Sequence, residues 1–125
     1  AADIRVRQDP KMWEHQLLRS RSVWDELFAI RALSNAPENR EEENCRAVRA
    51  LWSYFIDGRR PYFARVLCAR GIVRHWRAGT AEGEEFCVRL VRWSEDNQGR
   101  LSCVPDHLLW CRLQFVLVTA ETEGA

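Results

Sequence analysis

Residues 58–81 contain six arginines and no aspartate or glutamate. Three aromatic residues, Tyr62, Phe63 and Trp76, are interleaved with them. Guanidinium groups bind phosphates and carboxylates and stack on rings, so this composition favours an anionic partner. Three uses are open: docking to an acidic protein, contact with RNA or DNA, and a solvated helix face that pairs with Glu38 and the glutamates at 41–43. The arginines are Arg59, Arg60, Arg65, Arg70, Arg74 and Arg77.

Tryptophan is the second unusual component, with six residues. Trp13 and Trp24 share an apolar stripe at helical spacing, which predicts core positions for both. Trp110 and Arg112 share the more polar face of a predicted strand. Tryptophan beside arginine on an open face is typical of protein-interaction hot spots, so we expect Trp76, Trp110 and Arg112 to contribute to the binding surface. A second layer of helices over that face would explain Trp110 equally well.

Cys103, His107 and Cys111 follow one another at intervals of four residues, and Cys87 lies upstream. Thiolate and imidazole are the ligands that zinc prefers, so these four residues are the weak candidates for a metal site. Pro105 prevents a single helix from aligning them, and the chain has no C-x-x-C pair. We therefore expect no metal and no other cofactor.

Residues with the chemistry of catalysis are few. The chain has three histidines, and His107 near Cys103 is the least unfavourable pair of base and nucleophile. Pro105 between them sets no defined geometry. The sequence also lacks a nucleophile elbow, a phosphate-binding loop and a zinc-protease motif. It therefore favours a non-catalytic role, and we assign no catalytic residue.

The overall charge and the cysteines limit the environment and the partners. Nineteen basic and eighteen acidic residues give a net charge of +1, and Lys11 is the only lysine. Such a chain does not coat nucleic acid through bulk charge. Five cysteines without close pairing predict reduced thiols in a reducing, intracellular compartment, with Cys45 and Cys111 buried. No apolar run is long enough to span a membrane.

Three helices are predicted in the first two-thirds of the chain. An apolar stripe at helical spacing covers residues 10–33, and similar stripes cover residues 38–57 and 61–79. Gly71 lies inside the third helix, where it predicts a kink or a close contact with another helix.

A small antiparallel sheet is predicted for the remainder. Apolar residues alternate over residues 86–93, a return strand is predicted over residues 101–104, and every odd position over residues 109–117 is apolar. This pattern predicts a hairpin and a long C-terminal strand, with a short N-terminal edge strand near residues 4–7. The predicted fold class is α+β, in a single domain over residues 1–125.

These observations predict a non-catalytic interaction protein, a subunit or accessory factor of a larger assembly, that docks through its arginine- and tryptophan-rich surface. The alternative is an RNA- or DNA-contacting module that uses the basic third helix. A second alternative is a small-molecule-binding or enzymatic domain, because three helices before an antiparallel sheet also occur in cone-shaped α+β folds that hold small molecules.

Overall fold

The computed structural model describes residues 9–37, 40–97, 111–114 and 116–118, and every regular element in these ranges is a helix. Five helices are α1 (Pro10–Arg19), α2 (Val23–Ser34), α3 (Glu41–Phe55), α4 (Tyr62–Arg77) and α5 (Ala81–Asn97). Residues 111–114 and 116–118 add a C-terminal helical segment. The α+β prediction is wrong, because the part of the chain described here is helical and has no strand.

The predicted first helix is two helices, because the chain leaves the helical conformation at Ser20. The backbone of Ser20 is extended, with ψ of 149°. Its hydroxyl accepts a hydrogen bond from the Ser22 amide at 3.0 Å and donates one to the Asp25 carboxylate at 3.3 Å. Hydroxyl bonds of this kind compete with the helical ladder. The chain therefore starts α2 in a new rotational phase.

The new phase decides which side of α2 is buried. Its buried residues are Glu26, Ala29, Ile30 and Leu33. The predicted stripe instead placed Trp24 in the core, but Trp24 and its neighbour Phe28 on the same face are 72% and 59% exposed. The core position predicted for Trp24 is therefore wrong.

The predicted strand over residues 86–93 lies inside α5. The Thr80 hydroxyl accepts a hydrogen bond from the Gly83 amide at 3.1 Å, which caps the start of the helix. Glu82 and Glu84 follow in the first turn, where the helix dipole favours negative charge. The buried residues recur at three- and four-residue spacing, as a helix requires: Glu82, Gly83, Phe86, Cys87, Leu90 and Ser94.

The predicted C-terminal strand is also helical wherever it is described. Leu113 and Val116, three residues apart, are buried together, whereas the predicted strand would have placed them on opposite faces. The Gln114 amide hydrogen-bonds the Ser94 hydroxyl, which places this segment beside α5. The predicted strands at residues 101–104 and 4–7 lie outside the described residues.

α4 is the centre of the packing, in contact with α2, α3 and α5. The predicted close contact at Gly71 is confirmed, because a Cβ atom there would overlap the Ser34 hydroxyl. α4 ends before Gly79, whose positive φ of 88° is the left-handed conformation that terminates helices. None of the helices in the described ranges is long and apolar enough to cross a membrane.

The turn between α3 and α4 is held by Asp57. Its carboxylate accepts hydrogen bonds from the Arg59 backbone and side chain at 3.0 and 3.1 Å, and from the Arg60 side chain at 3.3 Å. The side-chain bond from Arg59, followed by the backbone bond, holds the pKa of Asp57 below its usual value. The charged carboxylate is therefore the form that stabilises the turn.

We expect Asp57→Asn to lower the unfolding free energy by about 1 kcal/mol at pH 7, because it removes a charged acceptor. The folded pKa is depressed, so this contribution is complete above the unfolded pKa, about 4, and disappears as pH falls through the folded value. Urea unfolding of both proteins from pH 7 down to about pH 3 measures the convergence. A difference that stays constant over that range would contradict the assignment.

Candidate functional site

A groove of about 870 Å³ lies between α2, α4 and the C-terminal helical segment. Its walls are helix faces that the core does not use, and its floor includes the buried side chains of Ile30 and Val73. The lining residues are Leu27, Ile30, Arg31, Ser34, Asn35, Tyr62, Phe63, Val66, Leu67, Arg70, Gly71, Val73, Arg74, Arg77, Arg112 and Val116. This volume is within the range of binding sites in proteins.

The groove is basic. Five of its lining residues are arginines and no described lining residue is acidic; the arginines are Arg31, Arg70, Arg74, Arg77 and Arg112. All five are exposed. Arg31, Arg70 and Arg74 form no ion pair with any carboxylate in the described ranges. Arg70 and Arg74 therefore do not pair with the glutamates at 41–43, and Glu38, the other partner predicted for this helix face, lies outside the described residues.

The same groove has an apolar end. Phe63 and Leu67, in the first turns of α4, are 44% and 36% exposed, and Leu27 lies opposite them on α2. Trp24 and Phe28 share a face of α2 with Arg31, because these positions are three to four residues apart. Leu27, Phe63 and Leu67 lie together in the lining, and clustered apolar side chains on a surface are typical of interaction sites.

The arginines predicted to act together separate into three groups. Arg70, Arg74, Arg77 and Arg112 line the groove. Arg59 lies in the α3–α4 turn, bound to Asp57, and its side chain is 91% exposed.

Arg60 and Arg65 hold the fold together. The Arg60 guanidinium donates to the Glu26 carboxylate at 2.6 Å and to the Leu18 carbonyl at 3.2 Å. Arg65 is 4% exposed and donates to the Phe55 carbonyl at 2.7 Å, which satisfies a backbone acceptor at the end of α3.

The predicted tryptophan positions have different outcomes. Trp76 is half-buried against the core and does not line the groove. Trp110 lies outside the described residues. Arg31 lies among mixed residues and carries no distinctive sequence signal, so its position in the groove was not predicted.

Glu26 and Tyr54 form the most buried polar pair around Arg60. The Tyr54 hydroxyl donates to the Glu26 carboxylate at 2.7 Å, and the Arg60 guanidinium lies 4.9 Å from the centre of the Tyr54 ring. Burial, and then the hydrogen bond to Glu26, raise the pKa of the Tyr54 hydroxyl. Tyr54 therefore stays protonated at neutral pH and serves as a hydrogen-bond donor.

His75 is a buried link between three helices. The Asn44 amide donates to its Nδ1 at 2.8 Å, which leaves Nε2 to donate to the Leu33 carbonyl at 2.8 Å. This pairing fixes the ring between α3, α4 and α2. His75 is 1% exposed, so it is not open to a substrate in this conformation.

The metal candidates are only partly described. Cys103 and His107 lie outside the described residues, and no three His, Cys, Asp or Glu residues within the described ranges are grouped to hold a metal ion. Cys87 is buried in α5. Cys111 is exposed, so its predicted burial is wrong; the helical turn points it away from the side that Leu113 takes.

Two other thiols have an environment that opposes reactivity. Cys68 is completely buried, and this burial raises its pKa well above the usual value. Cys45, which was predicted to be buried, is only half-buried, and burial is also the main cause of its raised pKa. Because the thiolate is the reactive form, neither cysteine is an activated nucleophile at neutral pH.

The chain was compared with protein families, curated proteins and solved structures. No protein-family model, no curated protein and no solved structure matches the chain.

Proposed function

We propose that this chain is a non-catalytic interaction protein, a subunit or accessory factor of a larger assembly, whose groove docks an acidic segment of a partner protein. The observation that supports the proposal is the lining of the groove: an apolar floor, five arginines and no described acidic residue. Apolar anchors supply affinity in such interfaces, and charge complementarity supplies orientation and speed of association.

RNA or DNA is the alternative ligand of the same arginines. Single-stranded nucleic acid is bound by aromatic side chains interleaved with basic ones, so that bases stack while phosphates are neutralised. Here Trp76, next to the arginines at 74 and 77, is half-buried against the core, and Phe63 is at the opposite end of α4. This separation favours a protein segment over a nucleic acid.

A triple variant, Arg31→Gln, Arg70→Gln and Arg74→Gln, tests the docking groove. The probe is a helical peptide in which leucines and glutamates are spread evenly along the sequence, called here the even peptide. We expect the wild type to bind it and the variant to bind at least about tenfold more weakly, because three exposed charge contacts are lost. Fluorescence anisotropy measures both affinities, and raising the salt concentration should reduce the difference.

A matched triple variant removes the same charge elsewhere. Arg19→Gln, Arg21→Gln and Arg92→Gln change three exposed arginines that do not line the groove, so we expect wild-type affinity for the even peptide. If both triple variants weakened peptide binding equally, the loss of affinity would come from the lower net charge and not from the groove. Failure to bind any helical peptide of leucines and glutamates, whatever their arrangement, would overturn the proposal. Binding of single-stranded RNA below a micromolar dissociation constant at physiological salt would overturn it too.

A further inference from the structure

The groove has a direction, because its two long walls run parallel. Near the start of α4, Arg60 contacts Glu26 in the first turn of α2, with 2.6 Å between nitrogen and oxygen. Near the end of α4, the His75 ring contacts the Leu33 carbonyl at 2.8 Å, and Gly71 packs against Ser34. The first turns of both helices therefore lie at one end of the groove and their last turns at the other.

Along this direction, both walls change from apolar to basic or polar side chains. On α4 the exposed positions are first apolar, at Phe63 and Leu67, and then basic, at Arg70 and Arg74. On α2 the lining changes from Leu27 to Arg31 and then to the polar side chains at 34 and 35. The groove therefore has one apolar end and one basic end.

The exposed stripe of α4 has the spacing along which another helix packs. Its members are Phe63, Leu67, Arg70, Arg74 and Arg77, separated by steps of four and three residues. This alternation is the seam spacing of paired helices. From 63 to 77 the stripe is ~21 Å long at 1.5 Å per residue, which a helix of about 15 residues covers.

We propose that the groove binds an amphipathic helix of a partner protein with large apolar residues gathered in one half and carboxylates gathered in the other. The apolar half lies against Phe63 and Leu67, and the acidic half lies against Arg70, Arg74 and Arg77. This inference rests on the proposed docking function and adds the partner's charge distribution and its orientation. Because the arginines occupy successive turns instead of converging on one point, they match a row of carboxylates better than a single anionic head group.

The test compares two peptides of identical composition. One is the even peptide; the other, the segregated peptide, has all leucines in one half and all glutamates in the other. We expect the wild type to bind the segregated peptide about tenfold more tightly, because each half then meets its complementary end. Equal affinity for the two peptides would overturn the proposed polarity while leaving the docking function standing. Failure of both peptides to bind would overturn the docking function itself.

Nitroxide spin labels report the orientation directly. A label at the apolar end of the segregated peptide should broaden the amide signals of Phe63 and Leu67, and a label at the acidic end those of Arg74 and Arg77. The reverse pattern, or equal broadening from both labels, would overturn the proposal. Displacement of the peptide by a long-chain fatty acid at lower concentration would overturn it too, by assigning the groove to a small amphiphile.

Two groove variants should separate the halves of the site. The double variant Phe63→Gln and Leu67→Gln should abolish the preference for the segregated peptide. It should also weaken binding of the glutamine version, which is the segregated peptide with every glutamate replaced by glutamine. Arg70→Gln with Arg74→Gln should leave binding of that glutamine version unchanged. If both double variants weakened the glutamine version alike, the two ends would not be distinct and the inference would fail.

Discussion

Arg60→Met is expected to lower the free energy of unfolding by about 3 kcal/mol, the lower end of the loss typical of a buried ion pair that loses one partner, because this pair is part-buried. The side chains of Arg60 and Glu26 are 21% and 6% exposed, and 2.6 Å separates nitrogen from oxygen. Without the guanidinium, the Glu26 carboxylate keeps the Tyr54 hydroxyl as its donor but loses the cation with which it pairs among the described residues. Urea unfolding at pH 7 measures the loss.

The neighbouring residue is the control. Arg59→Met removes a guanidinium whose side chain is 91% exposed, so we expect only a small fraction of the loss measured for Arg60→Met. Adding Glu26→Gln to Arg60→Met should recover part of the stability, because it removes the unpaired buried charge. A loss below about 1 kcal/mol for Arg60→Met would contradict the dependence of the buried Glu26 carboxylate on this guanidinium.

The sequence could predict the helices whose ends are marked by strong local signals. Asp9 before Pro10 caps α1 through a 3.0 Å bond to the Lys11 amide, as the Asp-Pro pair predicts. Pro61 and Gly79 bracket α4, and both ends are confirmed. These signals act through the backbone conformation of one or two residues, so they hold whatever packs nearby.

The sheet was predicted because, over a short stretch, the two-residue period of a strand and the repeat of a helix place some of the same residues on one face. Phe86 and Leu90 fit both an alternating strand and a helix with a four-residue repeat. Val88 distinguishes the two: a strand would bury it with Phe86, and the structure leaves it 49% exposed. The hydroxyl of Thr80 and the glutamates that follow it were the available helix signal, and they lie just before the stretch in which alternation was counted.

The candidate site was only partly predictable for a different reason. An arginine carries the same sequence signal whether its guanidinium bonds a buried carboxylate, as Arg60 does, or lines an open groove, as Arg70 does. The partner of Arg60 is Glu26, 34 residues earlier in the chain and on the buried face of α2. No local pattern indicates such a pairing, so only the folded arrangement separates supporting arginines from those open to a ligand.

Phe55→Ala is the second substitution with a large expected effect, a loss of about 3–5 kcal/mol of unfolding free energy. Its side chain is fully buried, with its ring centre 5.0 Å from that of Trp93 and 5.7 Å from that of Trp52. The Arg65 guanidinium lies 5.6 Å from the same ring centre. Removing the ring leaves a cavity and ends three aromatic or cation–π contacts.

Trp24→Ala is the matched test on the exposed side. It removes a larger ring, yet Trp24 is 72% exposed, so we expect a change within about 0.5 kcal/mol of unfolding free energy. Trp24 does not line the groove, but it lies one helical turn from Leu27, which lines the apolar end, so we also expect weaker binding of the segregated peptide. Thermal or urea unfolding and anisotropy on the same samples measure both quantities. A loss of stability like that of Phe55→Ala would show that Trp24 is buried in the core. Full stability with unchanged peptide binding would show that Trp24 is not part of the docking surface.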